Sequence, residues 1–386
     1  MPEMLFEETV KEAAGWMSVK ESRIEFPTTR ITEVTDLLYN HTYNGRRLQS
    51  HEREYLIREA LTTEDFPLLF ADVLDRQLLA AYKDIEPVWK NFVKISTVRD
   101  FKTAKRFATW GGDQLLAEVT EKGEYLASPR NEIEYQIAVL KRGRQFDISW
   151  ETLINDDLGA LRDTPERFAR AVRRTEHRLV SAIYASDWGA AGTHVEGTGG
   201  VLYETGVNAT ASAASPLTIA NLEAGVQTMN SFVDLVGEPI MATPKFLVVC
   251  PALEMTARAI LTSAVYQMTT AAAIPMPTAN VIATMGLQLL VDKYLPIVNA
   301  GANDQDTQWY LFADPADLAA IEVAYLSGHE NPELAMKNSD KVSVGGGPIS
   351  PFDGDFATDN VFYRVRSIFG VAKLDWRGTY MGGYVV

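Results

Sequence analysis

Residues that could carry out chemistry are scattered along the chain and form no catalytic or metal-binding motif. None of the histidines stands in an HExxH or Cys/His arrangement, which a zinc site usually requires. The five histidines are His41, His51, His177, His194 and His329. We therefore predict surface or core positions for them, with no metal site and no cofactor.

Serine and cysteine offer no better candidate for a nucleophile. No serine occupies a G-x-S-x-G elbow, and the single cysteine, Cys250, lies in the apolar run KFLVVCP, which indicates a buried thiol. The glycine clusters GTGGVLYE and VGGGPIS lack the Lys-Ser/Thr of a phosphate-binding loop and the context of a dinucleotide fingerprint. We therefore predict no catalytic and no cofactor-binding residues.

The densest acidic group lies in DISWETLINDD, which contains Asp147, Glu151, Asp156 and Asp157. Such carboxylates could bind calcium or act as an acid/base pair, and a metal-dependent hydrolase using Asp156 and Asp157 is one hypothesis. A simpler interpretation is a short helix that Ser149 caps, with Glu151 in the first turn, where the helix dipole favours an anion.

The elements around that cluster begin with a long polar/apolar alternation. Extended limbs on both sides of a turn at 123–131 predict a β-hairpin, and a change of phase predicts a bulge or bend near Gly143. The apolar positions are Ile133, Tyr135, Ile137 and Val139, and then Phe146, Ile148 and Trp150. Because an isolated ribbon is marginally stable in water, it needs a surface to lie on, and a neighbouring subunit is one candidate.

The segment LRDTPERFARAVRRTEHRLVSAIYASDWG predicts the longest helix of the chain, over 164–188. Thr164 is expected as its N-cap, Pro165 as its first residue and Gly189 as its stop. We interpret its arginines mainly as a solvated or salt-bridged face; the alternative is a surface that meets acidic neighbours or packaged nucleic acid. These arginines are Arg167, Arg170, Arg173, Arg174 and Arg178.

The remaining chain supplies an arm and a second lobe. A helix is predicted between Pro67 and Pro87, and alternating helices and strands after the Gly/Ala/Ser/Thr-rich stretch 190–215 predict an α/β lobe. The predicted organisation is an N-terminal arm with helices (1–95), a hairpin (96–145), a lobe with the long helix (146–205), an α/β lobe (206–354) and a returning strand (355–386).

Composition limits the possible functions. An apolar fraction of 46 % and a charged fraction of 23 % are typical of a folded globular protein. A net charge of -15 argues against a protein that grips nucleic acid over its whole surface. The sequence shows no signal peptide and no apolar stretch long enough to span a bilayer, so we expect synthesis in the cytoplasm and no membrane partner.

The order of these parts resembles the major capsid proteins of tailed bacteriophages, which have the Hong Kong 97-type (HK97-like) fold. FDISWETLINDD (146–157) is similar to a short motif that follows the family's extended loop, and GEPIMATPKFLVVCPALEMTARAIL (237–261) resembles part of its axial domain. FYRVRSIFGVAKLDWRG (362–378) resembles its closing strand. The resemblance covers about residues 60 to 386.

The resemblance implies an α+β fold with an N-terminal arm, an extended β-hairpin loop, a peripheral domain with a spine helix at 164–188 and an axial α/β domain. It implies a structural, non-enzymatic protein that assembles with itself into hexamers and pentamers of an icosahedral shell around double-stranded DNA, without sequence-specific binding. Portal, scaffold or decoration proteins are further expected partners, and the virion is the expected location. The alternative with the same fold is an encapsulin-like compartment that encloses protein cargo.

Overall fold

The computed structural model divides the chain into two compact units. Unit 1 comprises Met1–Ala81, Gly143–Ala169 and Glu333–Val365, and unit 2 comprises Tyr82–Arg142, Arg170–Pro332 and Arg366–Val386. The structure describes residues 42–43, 46–47, 78–84, 86–110, 118–119, 121, 125, 127, 130–149, 158–189, 192, 197, 199–211, 215–240, 242–269, 275–299, 306–342 and 354–384. Most of the predicted N-terminal arm lies outside these residues.

The secondary structure is mixed, as the predicted α+β class requires. The helices are α1 (78–84), α2 (Leu158–Ser186), α3 (Ile219–Asn230), α4 (Glu254–Thr262) and α5 (Leu295–Val298). The strands are β1 (Thr42–Tyr43), β2 (Arg46–Arg47), β3 (Lys94–Val98), β4 (Ala104–Trp110), β5 (Asn131–Ile137), β6 (Leu140–Ser149), β7 (Trp188–Gly189), β8 (Tyr203–Glu204), β9 (Ala209–Ala211), β10 (Pro244–Val249), β11 (Val265–Thr269), β12 (Pro275–Ala279), β13 (Gln288–Val291), β14 (Trp309–Ala313), β15 (Ile321–Leu326), β16 (Glu333–Met336), β17 (Asn360–Lys373) and β18 (Thr379–Tyr384).

A five-stranded sheet in unit 2 has the order β13-β10-β14-β18-β9. β10 is parallel to β13 and antiparallel to β14. Successive residues of β10 alternate between two hydrophobic clusters, with Phe246 and Val248 in one and Leu247 and Val249 in the other. Both faces of this sheet are therefore buried, which explains the uninterrupted apolar run that predicted a strand at 246–250.

The second sheet is built on the long strand β17. Its last residues pair antiparallel with β15, and β15 pairs in parallel with β3; β16 and β6 also pair with β17. In unit 2, α2 contributes Val180 and Tyr184 to the cluster that contains Phe92 and Phe312. The long helix is thus held by apolar packing along its C-terminal half.

The long helix begins earlier than the sequence predicts. α2 runs from Leu158 to Ser186, so Thr164 and Pro165 lie inside it, and Gly189 belongs to β7 rather than stopping the helix. An interior proline costs a helix about 3 kcal/mol or more. Burial of the rest of the helix offsets this loss, and the local Thr-Pro signal therefore misled the prediction.

The predicted irregularity near Gly143 is also misplaced. β6 passes through Gly143 without a break, and the interruption lies at Ala138 and Val139, between β5 and β6. At this point the chain crosses Gly370 of β17 so closely that a Cβ atom there would overlap the Ala138 carbonyl group. The interruption therefore coincides with a tertiary contact that the local pattern cannot show.

The chain end forms two strands where one was predicted. Asp375 accepts a hydrogen bond from the backbone N–H of Arg377 at 2.9 Å and so caps a short 3-10 helix, Trp376–Gly378. This turn directs Thr379–Tyr384 away from β17 and into the first sheet, antiparallel to β14. The last residues of the predicted returning strand thus belong with the α/β elements.

Candidate functional site

The predicted hairpin is present, and its two limbs are β4 and β5. They pair antiparallel in continuous register from Ala104↔Ile137 to Trp110↔Asn131. Because side chains alternate across a strand, the hairpin has two faces of different composition. The alternation of burial along both strands identifies which face covers unit 2.

The inner face of the hairpin is part of the core of unit 2. Ile133, Tyr135 and Ile137 are all buried, and Ile137 joins a hydrophobic cluster with Ile368 of β17. The Tyr135 hydroxyl also donates a hydrogen bond of 3.4 Å to the Asp375 carboxylate. The hairpin base is therefore held by apolar burial and by a polar contact with the turn after β17.

Arg106 anchors the same face through its guanidinium group. Its Nε atom donates to Oε1 of Glu322 at 3.1 Å, and its Nη2 atom donates to the Ser96 hydroxyl at 3.2 Å and to the Thr97 carbonyl at 3.3 Å. Ser96 also donates to Glu322, whose side chain is only 1 % exposed. Arg106 thus compensates a buried carboxylate, which otherwise would be costly.

We call the opposite face the hairpin outer face; it consists of Lys105, Phe107, Thr109, Glu132, Glu134 and Gln136. Phe107 is 61 % exposed and lies directly opposite Glu134 in the ladder. Lys105 forms an ion pair with Glu134 at 2.9 Å, and hydrogen bonds from Gln136 and Lys105 hold the pKa of Glu134 below its usual value. Exposed ion pairs stabilise a fold little, so this face contributes little to unit 2 itself.

In contrast to the exposed ion pair of the hairpin, the charged groups that hold α2 are buried and hydrogen-bonded. Glu176 is 0 % exposed; it accepts hydrogen bonds from the Tyr82 hydroxyl at 2.6 Å and from Arg173 at 3.0 Å. Arg173 also donates two hydrogen bonds to the Tyr82 carbonyl. Burial raises the pKa of Glu176, although Tyr82 and Arg173 oppose that shift.

Another buried carboxylate, Asp292, links the chain after β13 to α2. It contacts His177 at 3.0 Å and accepts hydrogen bonds from the hydroxyl groups of Ser181 and Tyr184. Burial alone would raise the pKa of Asp292. The hydrogen bond and electrostatic interaction with His177, together with the hydrogen bonds from Ser181 and Tyr184, instead lower this pKa below its usual value.

The meeting of Ser181, His177 and Asp292 is not a catalytic triad. Ser181 donates to the Asp292 carboxylate and also contacts the His177 carbonyl, so the serine hydroxyl is oriented by the acid rather than by the imidazole. A triad needs the imidazole to accept the serine proton. The sequence could not reveal this cluster, because Asp292 lies more than one hundred positions after His177 and Ser181 and no motif joins them.

The other residues considered for chemistry are dispersed or lie outside the described residues. Cys250 is buried, and burial raises its pKa, as expected for an inert thiol. Asp147 accepts a hydrogen bond of 2.8 Å from Asn360, whereas Glu151, Asp156 and Asp157 are not among the described positions. Within the ranges that the structure describes, no three His, Cys, Asp or Glu side chains are grouped to hold a metal ion.

None of the described helices is both long enough and apolar enough to cross a membrane.

The sequence profile of one protein family, described as phage capsid protein, matches residues 133–382. No curated protein sequence matches the chain significantly. Solved structures that match the chain include that of Gordonia phage Cozz, at 14 % identity and a TM-score of 0.43, with 76 % of this chain and 85 % of that chain covered. The capsid structure of the cyanophage P-SCSP1u gives 10 % identity and a TM-score of 0.45, with coverages of 77 % and 88 %.

The family match covers more than half of the chain and includes α2, β17 and most of β5 and of the first sheet. The predicted α+β capsid fold, with its hairpin, long helix, α/β elements and closing strand, is therefore confirmed. A phage capsid family does not favour the encapsulin-like alternative. The chain belongs to the phage capsid protein family and is a structural capsid protein of the virion.

Proposed function

We propose that this protein is the major capsid subunit of an icosahedral shell of hexamers and pentamers that encloses double-stranded DNA. The observation that carries the proposal is the hairpin with one face buried in its own unit and one exposed. Its outer face presents Phe107 to solvent, and single subunits gain little stability from it. Contact with a neighbouring subunit would bury this side chain, so the outer face would form part of an interface between subunits.

Each part of the chain receives a role in this proposal. The segment 96–145 is the extended loop that lies across a neighbour, and 146–205 belongs to the peripheral domain, together with β17. The segment 206–354 forms the axial domain, apart from β15 and β16, which share the sheet of β17. With β18 added to its sheet, the axial domain meets its copies around the symmetry axis of each capsomer. The arm within 1–95 contacts adjacent subunits, and many repeated interfaces of modest area stabilise the closed shell.

The charge of the chain fits enclosure of DNA rather than sequence-specific binding. With a net charge of -15, the subunit repels phosphates on average, so DNA must be driven into the shell. Portal, scaffold or decoration proteins are the partners that such a shell would use. In this proposal the protein is synthesised in the host cytoplasm and has no enzymatic activity.

The test is expression of the full chain followed by electron microscopy and light scattering. We expect closed particles, and only monomers under every assembly condition would contradict the proposal. Particles from infected cells that contained protein cargo and no DNA would support the encapsulin-like alternative instead.

A hairpin variant separates folding from assembly. Replacing residues 111–130 by Asn-Gly would join Trp110 to Asn131 through a two-residue turn that suits a tight hairpin. Because Ile133 and Tyr135 are retained, we expect the subunit to fold. Because the part of the extended loop beyond Trp110 and Asn131 is removed, the loop would no longer reach across a neighbour, and we expect no closed shell. A deletion that extended to residue 136 would remove these buried side chains and is expected to impair folding as well.

A further inference from the structure

Three arginines form a stripe on the exposed side of α2. Arg170, Arg174 and Arg178 follow one another at intervals of four residues, and all three are exposed. At 3.6 residues per turn and about 1.5 Å per residue, such a spacing gives one face and a length of about 12 Å. We call these three residues the arginine stripe.

The other side of the same helix is buried. Val172 and Val180 are core residues, and Glu176 is fully buried. Each lies about half a turn away from a member of the arginine stripe. The stripe therefore points away from the core of unit 2, as its exposure also shows.

Repulsion within the arginine stripe destabilises the helix. Arg170 and Arg174, and then Arg174 and Arg178, are like-charged pairs at four-residue spacing, which destabilise a helix by about 0.2–0.5 kcal/mol each. Glu166 stands four positions before Arg170, but no acidic residue stands three or four positions from Arg174 or Arg178. A helix face that merely needed solubility would gain from alternating charges, so the stripe indicates an anionic ligand.

The residue type favours phosphate as that anion. The stripe contains arginine only, whose planar guanidinium group can bind a phosphate through two parallel hydrogen bonds. Double-stranded DNA carries one charge per about 1.7 Å of its axis, so a duplex alongside the stripe would present about seven phosphates over its length. Contacts of this kind hold DNA without reading its sequence.

We infer that the arginine stripe binds the phosphate backbone of double-stranded DNA and so marks the surface of the subunit that faces the packaged genome. This inference rests on the proposed function for its DNA ligand. It adds a defined contact point to a shell that is otherwise acidic. The other anion of suitable chemistry, an acidic segment of a second copy, is an outcome that the test distinguishes.

The test measures binding of a labelled 30-base-pair duplex to the full chain by fluorescence anisotropy over a range of salt concentrations. The variant R170Q/R174Q/R178Q removes the stripe and keeps helix propensity, because glutamine is nearly as good a helix former as arginine. The control K94Q/K141Q/R144Q removes the same charge from exposed positions elsewhere. Since each phosphate contact contributes about 0.9 to the slope of log K against log salt, the stripe variant should lose up to about 2.7 of that slope.

We expect the stripe variant to bind at least tenfold more weakly at low salt and to assemble shells, while the control keeps most of the binding. Equal loss in both variants, or unchanged binding in the stripe variant, would overturn the inference. Loss of shells with unchanged DNA binding would assign the stripe to contact with a second copy. If the triple variant does not fold, R174Q alone should lower the slope by about 0.9. Failure of the unsubstituted chain to form shells would instead contradict the proposed function.

Discussion

The buried charges of α2 and the hairpin outer face use similar residue types with opposite consequences. Around Glu176, a carboxylate is enclosed by Arg173 and two tyrosines and has almost no contact with water. Around Glu134, the partners Lys105 and Gln136 are all solvent-exposed. Removal of one partner of the ion pair in the first setting destabilises the fold, whereas the ion pair in the second is available for contact with another molecule.

The largest effect is expected from breaking the buried pair on α2. Glu176→Met would leave the guanidinium group of Arg173 buried without its carboxylate, which should lower the free energy of unfolding by about 3–5 kcal/mol. Chemical denaturation of the unassembled subunit measures this loss. The double variant R173M/E176M removes both charges and should be more stable than the single variant; a less stable double variant would show that the charge is not the cause.

Two adjacent residues of β4, Arg106 on the buried face of the hairpin and Phe107 on its outer face, allow a direct comparison of folding and assembly. Arg106→Met removes the partner of the buried Glu322 and should cost about 2–3 kcal/mol of folding stability. Phe107→Ser, one position further, should change that free energy by less than about 0.5 kcal/mol and yet prevent shell formation. Denaturation curves and electron microscopy of both variants check the contrast, which fails if Phe107→Ser unfolds the subunit or leaves particles intact.

The stability that the buried Asp292 contributes should depend on pH. Because the folded-state pKa of Asp292 lies below its usual value of 3.8, its contribution is present above about pH 4 and is lost as pH falls through the lowered pKa. Asp292→Asn should therefore cost about 1.5 kcal/mol at pH 7 and progressively less below pH 4. Unfolding curves of both proteins between pH 3 and pH 7 test this, and a constant difference would refute it.

The smallest effect is expected at the exposed ion pair of the hairpin outer face. Lys105→Gln removes the partner of Glu134, but water solvates both side chains in the single subunit. The midpoint of chemical denaturation should stay within experimental error. Any effect should instead be seen in the salt dependence of shell formation, measured by light scattering, with Lys94→Gln as a control of equal charge.

The sequence was most informative where one local pattern decides the structure. Alternation along β4 and β5 predicted a two-faced hairpin, and the apolar run at β10 predicted a buried strand; the structure contains both. The prediction failed where distant contacts decide. The start of α2 before Pro165 is not given by its local sequence, and the interruption at Ala138 lies where the chain passes close to Gly370.

Buried polar clusters were invisible to the sequence for a related reason. His177 and Asp292 look like ordinary polar residues at unrelated positions, and only the packing of α2 against the first sheet's elements joins them. Arg173 illustrates the same point within a single helix. The sequence grouped it with the exposed arginines, but the structure buries it beside Glu176, because it lies about a quarter of a turn away from the arginine stripe, toward the buried side of the helix.

The alternation along β4 also has a consequence for how this protein can change over evolutionary time. Residues such as Arg106 are tied to their own fold and should vary together with Ser96 and Glu322 across related phages. Residues such as Phe107 should vary together with positions that are distant within one subunit. Correlated substitutions of this second kind, which no distance inside a single chain explains, would locate the surface on the neighbour that receives the hairpin.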